Sequence, residues 1–288
     1  MASVTANGIT IEYEDEGTGE PLLLVMGLSG QLVDWPRDFV DMLVAKGFRV
    51  IRFDNRDAGL STEFADTPPS MRAMSLGSLV GRRPNAPYQL TDMADDAIGL
   101  LDVLGIERAH VVGVSMGGMI AQTIAIHHPQ RVLSLASIMS TTGNRRKGRP
   151  KASLMVRAAR LPVRTKENAA EVGMQIWRLI SGPHFDEQEV QRSIANAVGR
   201  SVRPQGSLRQ TAAIMAAPDR TEALGRVNVP TLVIHGMVDP LIQPSGGVAT
   251  AAAIHGSRLL MFDDMGHDLP APRRQEIVDA IADNAHRA

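Results

Sequence analysis

The stretch that decides the fold runs from His110 to Gln122 and reads HVVGVSMGGMIAQ. Its first half is rich in valine, which is typical of a strand buried on both faces, and its second half is typical of an apolar helix. Gly113, Ser115 and Gly117 form a Gly-x-Ser-x-Gly pattern at the junction. In a sharp strand-to-helix turn, the serine hydroxyl projects from the end of the strand. The pattern therefore predicts either a plain connection or a nucleophile.

The two glycines have a physical reason under the second interpretation. Side chains two residues before and after Ser115 would crowd the neighbouring helix and strand, and glycine removes them. A helix that begins at the serine also directs its first N–H groups toward the place where negative charge would develop. The context of strand, glycines and helix therefore favours an activated serine.

The rest of the chain alternates strand-like and helix-like runs. Apolar or alternating runs predict strands over residues 8–15, 21–27, 48–54, 109–115, 132–140, 229–236 and 257–264. Amphipathic or apolar runs with start and stop signals predict helices over residues 35–47, 89–105, 245–256 and 271–287. This order predicts an α/β fold with a mostly parallel central sheet flanked by helices. The period-two pattern of residues 8–15 predicts an edge strand.

Residues 141–222 interrupt this alternation. The segment has no strand pattern, and it contains three amphipathic helical runs separated by prolines. We therefore expect a helical cap at 141–222, inserted into an α/β core made of residues 1–140 and 223–288.

Composition narrows the classes of function. The 288 residues include 30 basic and 31 acidic side chains, so nothing in the net charge of −1 predicts a nucleic-acid partner. Cysteine is absent, which excludes disulfides, thiolate nucleophiles and cysteine zinc sites. We find no secretory signal pattern and no apolar run near the roughly 20 residues that a membrane span needs. We expect a cytoplasmic enzyme with a small-molecule ester substrate and without metal or cofactor.

A serine hydroxyl needs a base to become a nucleophile. In this topology the acid and then the histidine follow later in the chain, just past strand ends. Asp239 in HGMVDP and His267 in DDMGHDLP occupy such positions. The sequence therefore predicts a Ser115–His267–Asp239 triad. Three other acids lie near His267 in sequence, namely Asp263, Asp264 and Asp268. Because they are so close along the chain, a hydrogen bond from their carboxylates to the side of the imidazole is harder to form.

An acyl-transfer site also needs two backbone N–H donors for an oxyanion. We predict these donors at Met116, directly after the serine, and at Leu28, in the loop after the strand LLLVMG. Trp35, Met155 and Trp177 are candidates for the wall of a substrate pocket, with core or cap packing as the alternative for each.

Together, the stretches LLLVMGLSG, FDNRDAGLS, HVVGVSMGG, LVIHGMVDP and MGHDLP resemble those of α/β-hydrolase-fold serine hydrolases over the full length of the chain. Within that superfamily, the chain most resembles the esterase-like group that includes aclacinomycin methylesterase. In one departure from the pattern, Met26-Gly27 stands where many relatives have His-Gly. Backbone donation survives this change, whereas side-chain hydrogen bonds of the loop can differ.

The resemblance implies cleavage of carboxylic esters through an acyl-serine. Perhydrolases of the cofactor-free haloperoxidase type, lactonases and carbon–carbon bond hydrolases would show the same triad, so these alternatives stay open. Serine at the strand-to-helix turn, rather than aspartate, argues against dehalogenase and epoxide hydrolase chemistry. A non-enzymatic alternative is a ligand sensor that uses the same scaffold to signal to a partner protein.

Two further stretches have polar character. FDNRDAGLS (53–61) carries Asp54, Arg56 and Asp57, which predicts a hydrogen-bonded loop that braces the site. Residues 145–166 carry nine basic residues and no acid. We interpret this run as a solvated face, with attraction of an anionic substrate or headgroup as the alternative.

Overall fold

The structure is a computed structural model that describes residues 1–79 and 81–288. Its strands form one sheet in the spatial order β1-β2-β4-β3-β5-β6-β7-β8. β3 to β8 are parallel to one another, whereas β1 and β2 are antiparallel to their neighbours. The strands are β1 (Ala2–Ala6), β2 (Ile9–Glu16), β3 (Glu20–Val25), β4 (Phe48–Phe53), β5 (Ala109–Val114), β6 (Val132–Ile138), β7 (Thr231–Gly236) and β8 (Arg258–Phe262).

The predicted edge position of residues 8–15 is wrong, because β1 covers β2. The two strands form a hairpin whose connection is Asn7-Gly8, and both residues have positive φ, of 47° and 76°. Asn-Gly is the strongest short hairpin signal, since it adopts the turn whose twist matches that of paired strands. This signal was present in the sequence, and β1 is the true edge.

Helices cover both faces of the sheet. They are α1 (Arg37–Ala45), α2 (Met71–Leu79), α3 (Leu90–Val103), α4 (Met116–His127), α5 (Ala152–Ala158), α6 (Ala169–Ile180), α7 (Glu187–Arg200), α8 (Pro204–Ala216), α9 (Thr221–Leu224), α10 (Ser245–Ala253) and α11 (Ala271–Ala285). In β3, Leu23 and Val25 pack in the core with α3 and α4, while Leu22 and Leu24 pack in the core with α1 and α11. All four side chains are fully buried, which explains why β3 reads as a continuous apolar run.

The glycines of the Gly-x-Ser-x-Gly pattern lie where backbones meet. A Cβ on Gly113 would lie 2.1 Å from the carbonyl oxygen of Gly117, and one on Gly117 would lie 2.0 Å from that of Val25. Side chains cannot share that space with backbone atoms. The close contact of α4 with β3 and β5 therefore requires glycine at both positions.

We expect Gly117→Ala to destabilise the protein, although alanine is the better helix former. The helix-propensity gain of about 1 kcal/mol is smaller than the ~1–3 kcal/mol or more that overpacking costs, and here the clash is with backbone. Gly199→Ala is the matched control, because Gly199 lies exposed in α7 and a Cβ there would meet nothing within 4 Å. Urea unfolding should show a lower free energy of unfolding for Gly117→Ala and an unchanged or higher one for Gly199→Ala.

Residues 141–222 contain α5 to α8 and the first two residues of α9, so the segment is helical throughout its regular structure. α7 and α8 are joined to the loop after β4, since Arg200 Nη1 donates to Asp54 (2.6 Å) and Arg209 pairs with Asp57 through two hydrogen bonds of 2.8 Å. α6 meets the loop after β8, where His267 N donates to Ile180 O (2.8 Å). Across residues 1–79 and 81–288, none of the helices combines the length and the apolar character that crossing a membrane requires.

Candidate active site

Ser115 lies between the end of β5 and the start of α4 with φ 55° and ψ −117°. Positive φ is unfavourable for a residue with a side chain, and such conformations persist where the surroundings enforce them. Here Ser115 N donates to Ile138 O (2.9 Å), and Ser115 O accepts from the Ser140 hydroxyl (2.8 Å) and from Met119 N (3.2 Å). The turn is thus fixed on both sides by its neighbours.

His267 and Asp239 meet this serine. His267 Nε2 lies 2.9 Å from Ser115 Oγ, and His267 Nδ1 lies 2.7 Å from Asp239 Oδ2. An ionised carboxylate only accepts, so Nδ1 carries the proton and Nε2 is free to accept from the hydroxyl. The other oxygen of Asp239 accepts from Leu241 N (2.8 Å) and Ile242 N (2.9 Å). The structure therefore brings the three predicted residues together in one hydrogen-bonded chain.

The rival acids have other partners. Asp264 binds Arg273 (2.9 Å) and His184 (2.8 Å), and these two side chains lower the pKa of Asp264 to about 2. Asp263 points into solvent, with 91 % of its side chain exposed. Asp268 accepts from the backbone N–H groups of Gly266 and Gly182, so it fastens the histidine loop to the end of α6.

His235 is a second histidine beside Asp239. Its Nε2 lies 3.5 Å from Asp239 Oδ2 but donates to Ile242 O at 2.7 Å. Burial lowers the pKa of His235, because a charged imidazolium loses its hydration there. A neutral ring bonded to a carbonyl supports the loop that holds Asp239, and it leaves His267 as the ring that contacts the serine.

The loop after β3 lies directly against the serine. A Cβ on Gly27 would lie 3.2 Å from the Cβ of Ser115, which is tighter than an ordinary contact, so glycine favours this approach. The N–H groups of Leu28 and Met116 follow Gly27 and Ser115 in sequence. Within the part of the chain that the structure describes, neither N–H donates to another protein group. Two free donors beside a hydroxyl are what an oxyanion requires.

The loop 54–61 is a hydrogen-bonded brace. Asp54 accepts from Leu32 N (2.7 Å) and Leu60 N (2.8 Å) in addition to its ion pair with Arg200. Asn55 Nδ2 donates to Met26 O (3.0 Å), which ties the loop to the segment just before Gly27. This loop therefore connects the strand that precedes the candidate oxyanion site with the helices of 141–222.

The side chains that reach the brace from 141–222 are Arg200, Arg203, Arg209 and Gln210. Sequence reasoning did not identify them, and α8 as a whole was not predicted. The run RQTAAIMAA (209–217) after Pro204 was a usable helix signal. Their partners could not be read from the sequence, because these contacts span more than 140 residues.

The three pocket candidates differ in their surroundings. Trp35 is 1 % exposed and stacks on Phe39 with ring centroids 5.6 Å apart, so packing accounts for its burial. Trp177 is partly buried on α6, and Met155 is 54 % exposed on α5. A role in lining a pocket stays a prediction for all three. In the basic run 145–166, Arg164 is partly buried and the other basic side chains are exposed.

The comparisons with known proteins agree with this geometry. The sequence model of the alpha/beta hydrolase fold family matches residues 20–271. Rhodomycin D methylesterase from Streptomyces peucetius is 30 % identical in an alignment of 300 positions, which covers 95 % of this chain and 94 % of that protein. 2-Hydroxymuconate semialdehyde hydrolase from a Pseudomonas species is 30 % identical over 280 residues, which cover 92 % and 86 %.

A solved structure supports the fold separately. The enol-lactonase from Burkholderia xenovorans superposes with a TM-score of 0.76 at 23 % identity, covering 99 % of this chain and 100 % of that one. The predicted fold class and the predicted family are confirmed by these matches together. This chain belongs to the α/β hydrolase fold family.

Proposed function

We propose that this protein is a serine hydrolase that cleaves carboxylic esters with Ser115, His267 and Asp239 as its catalytic triad. The observation that carries the proposal is the continuous chain from Ser115 Oγ through both nitrogens of His267 to Asp239, with distances of 2.9 Å and 2.7 Å. A base that is oriented on its far side presents the free nitrogen to the serine proton, and the carboxylate stabilises the imidazolium that forms.

In the first half of the reaction, Ser115 Oγ attacks the ester carbonyl while His267 Nε2 takes its proton. Asp239 holds the imidazole in the required tautomer and stabilises the imidazolium that forms. The N–H groups of Leu28 and Met116 stabilise the tetrahedral oxyanion, which is typically the largest electrostatic contribution. His267 then gives the proton to the leaving alkoxide, so that an alcohol departs and an acyl-serine remains.

In the second half, His267 takes a proton from water, which attacks the acyl-serine carbonyl. The same two N–H groups stabilise the second oxyanion, and collapse of that intermediate returns the proton to Ser115 and releases the acid. These steps use protein groups and water, so the proposed reaction calls for neither metal nor organic cofactor.

We propose a methyl ester of a larger carboxylic acid as the substrate class. The rhodomycin D methylesterases of two Streptomyces strains are each 30 % identical to this chain over nearly its whole length. We also propose that residues 141–222 act as a cap over the triad. In support, α6 is bonded to the loop that carries His267, and α8 is bonded to the loop that carries Leu28.

A substrate panel tests this function. Purified protein should release methanol from aromatic and polycyclic methyl esters over many turnovers. It should do so faster than it opens lactones or brominates monochlorodimedone in the presence of bromide, peroxide and acetate. Faster turnover of a lactone, or of a vinylogous diketone at its carbon–carbon bond, would replace the ester assignment with that alternative. A single turnover followed by retained product would favour the ligand sensor.

A further inference from the structure

The loop that carries Leu28 contains a strained residue. Gly27 O accepts from Gly30 N (3.1 Å), so residues 27–30 form a tight turn, and Ser29 within it has φ 61°. A residue with a side chain prefers negative φ, so this turn must be held from outside.

The turn sets the direction of the Leu28 N–H. Because a trans peptide is planar, the N–H of Leu28 points opposite to the carbonyl of Gly27. The bond from Gly30 fixes that carbonyl, and with it the whole peptide between Gly27 and Leu28. Whatever holds the turn therefore also aims the proposed oxyanion donor.

Two side chains of α8 hold the turn. Gln210 Oε1 accepts from Ser29 N at 2.8 Å, and the Ser29 hydroxyl lies 2.6 Å from the Ser207 hydroxyl. Ser207 can accept there, because its own hydroxyl donates to Arg203 O (3.3 Å). Both contacts reach the one residue of the turn whose φ is unfavourable.

The Gln210 amide is itself fixed. Its side chain is fully buried, and Nε2 donates to Arg56 O at 2.7 Å, which leaves Oε1 as the acceptor for Ser29. α8 is seated firmly on the same loop, since a Cβ on Gly206 would lie 2.4 Å from Asp57 O and Arg209 pairs with the Asp57 carboxylate. Gln210 thus transmits the position of α8 to the turn.

We propose that Gln210, assisted by Ser207, is a positioning residue that keeps Leu28 aimed at the oxyanion, so that α8 is a working part of the catalytic machinery. This inference rests on the proposed function. It predicts that a Gln210 variant loses stabilisation of the charged oxyanion in the transition state, while its binding of the neutral substrate is kept.

The test is Gln210→Met, which keeps the length of the side chain and removes both the acceptor for Ser29 N and the donor to Arg56 O. We expect kcat on a methyl ester to fall about ten- to a hundredfold, less than the ~10²–10³ that losing one oxyanion donor costs, with KM nearly unchanged. Thr211→Val is the control, because the Thr211 hydroxyl donates to the backbone oxygen Ser207 O (2.7 Å), a bond within its own helix. It should retain the kcat of the unmodified protein.

A pair of ketones separates positioning from packing. A trifluoromethyl ketone adds to Ser115 Oγ, with the serine proton passing to His267, and its carbonyl becomes an oxyanion in the hole. The matching methyl ketone binds without that charge. Gln210→Met should weaken binding of the trifluoromethyl ketone by the same factor by which it lowers kcat. Binding of the methyl ketone should stay unchanged. Equal weakening of both ketones would show that Gln210 is a pocket or packing residue and would overturn the proposal.

Ser29→Gly provides a rescue, because glycine adopts positive φ without strain. Added to Gln210→Met, it should restore part of kcat, and the two changes should be non-additive. No recovery would contradict the proposal. If Gln210→Met fails to fold, Ser207→Ala should give a smaller loss with the same ketone pattern. If Gln210→Met keeps full kcat while Ser115→Ala is inactive, the inference is refuted and the proposed function stays intact.

Discussion

Ser115→Ala should abolish ester hydrolysis, with kcat falling on the order of 10⁶-fold, as for loss of the nucleophile in other serine hydrolases. The reason is that no acyl-serine can form, so hydrolysis has to proceed by direct attack of water on the ester. The measurement is methanol release under single-turnover and steady-state conditions. Residual turnover within tenfold of the unmodified protein would remove Ser115 from the mechanism.

The matched control for this change is Thr123→Val. Thr123 lies in the same helix, is buried, and donates its hydroxyl to Met119 O (2.8 Å) within that helix. Ser115→Ala loses a hydroxyl directly before α4 and Thr123→Val loses one in the second half of α4, so both should unfold at similar urea concentrations. Only Ser115→Ala should lose activity, which separates chemistry from stability.

Asp239→Asn should reduce kcat about 10⁴-fold with little change in KM. An asparagine can still accept from Leu241 N and Ile242 N through its oxygen, so the loop should keep its shape. Its NH₂ group would then face His267 Nδ1 as a donor. That contact forces the proton onto Nε2, where it blocks acceptance of the proton from Ser115.

Asp268→Asn is the comparison for this second prediction. Asp268 is next to His267 in sequence, but its carboxylate accepts from the amides of Gly266 and Gly182 and makes no hydrogen bond to the imidazole. We expect a loss of activity at least a hundredfold smaller than for Asp239→Asn, in line with the small cost of weakening neutral-donor hydrogen bonds. The reverse ranking would make Asp268 the orienting acid.

Local signals predicted most of the fold. The alternation of apolar strands with helices gave the parallel sheet, because burial on both faces leaves a continuous hydrophobic run that is visible in one dimension. The edge strand β1 was missed although Asn7-Gly8 indicated the hairpin, because β1 is short and mostly exposed. α8 was missed because its apolar face is built from alanines around the buried polar side chains Arg209 and Gln210.

The candidate site divides in the same way. The sequence by itself determined the serine and its glycines, because these residues are adjacent along the chain. The expected topology then predicted the chain order of nucleophile, acid and base. Only the tertiary structure decided that Asp239 rather than Asp268 meets His267, and that Gln210 supports the turn that contains Leu28. Those contacts join residues 28 and 181 positions apart, and the side chains that come together over such separations depend on how the whole core packs.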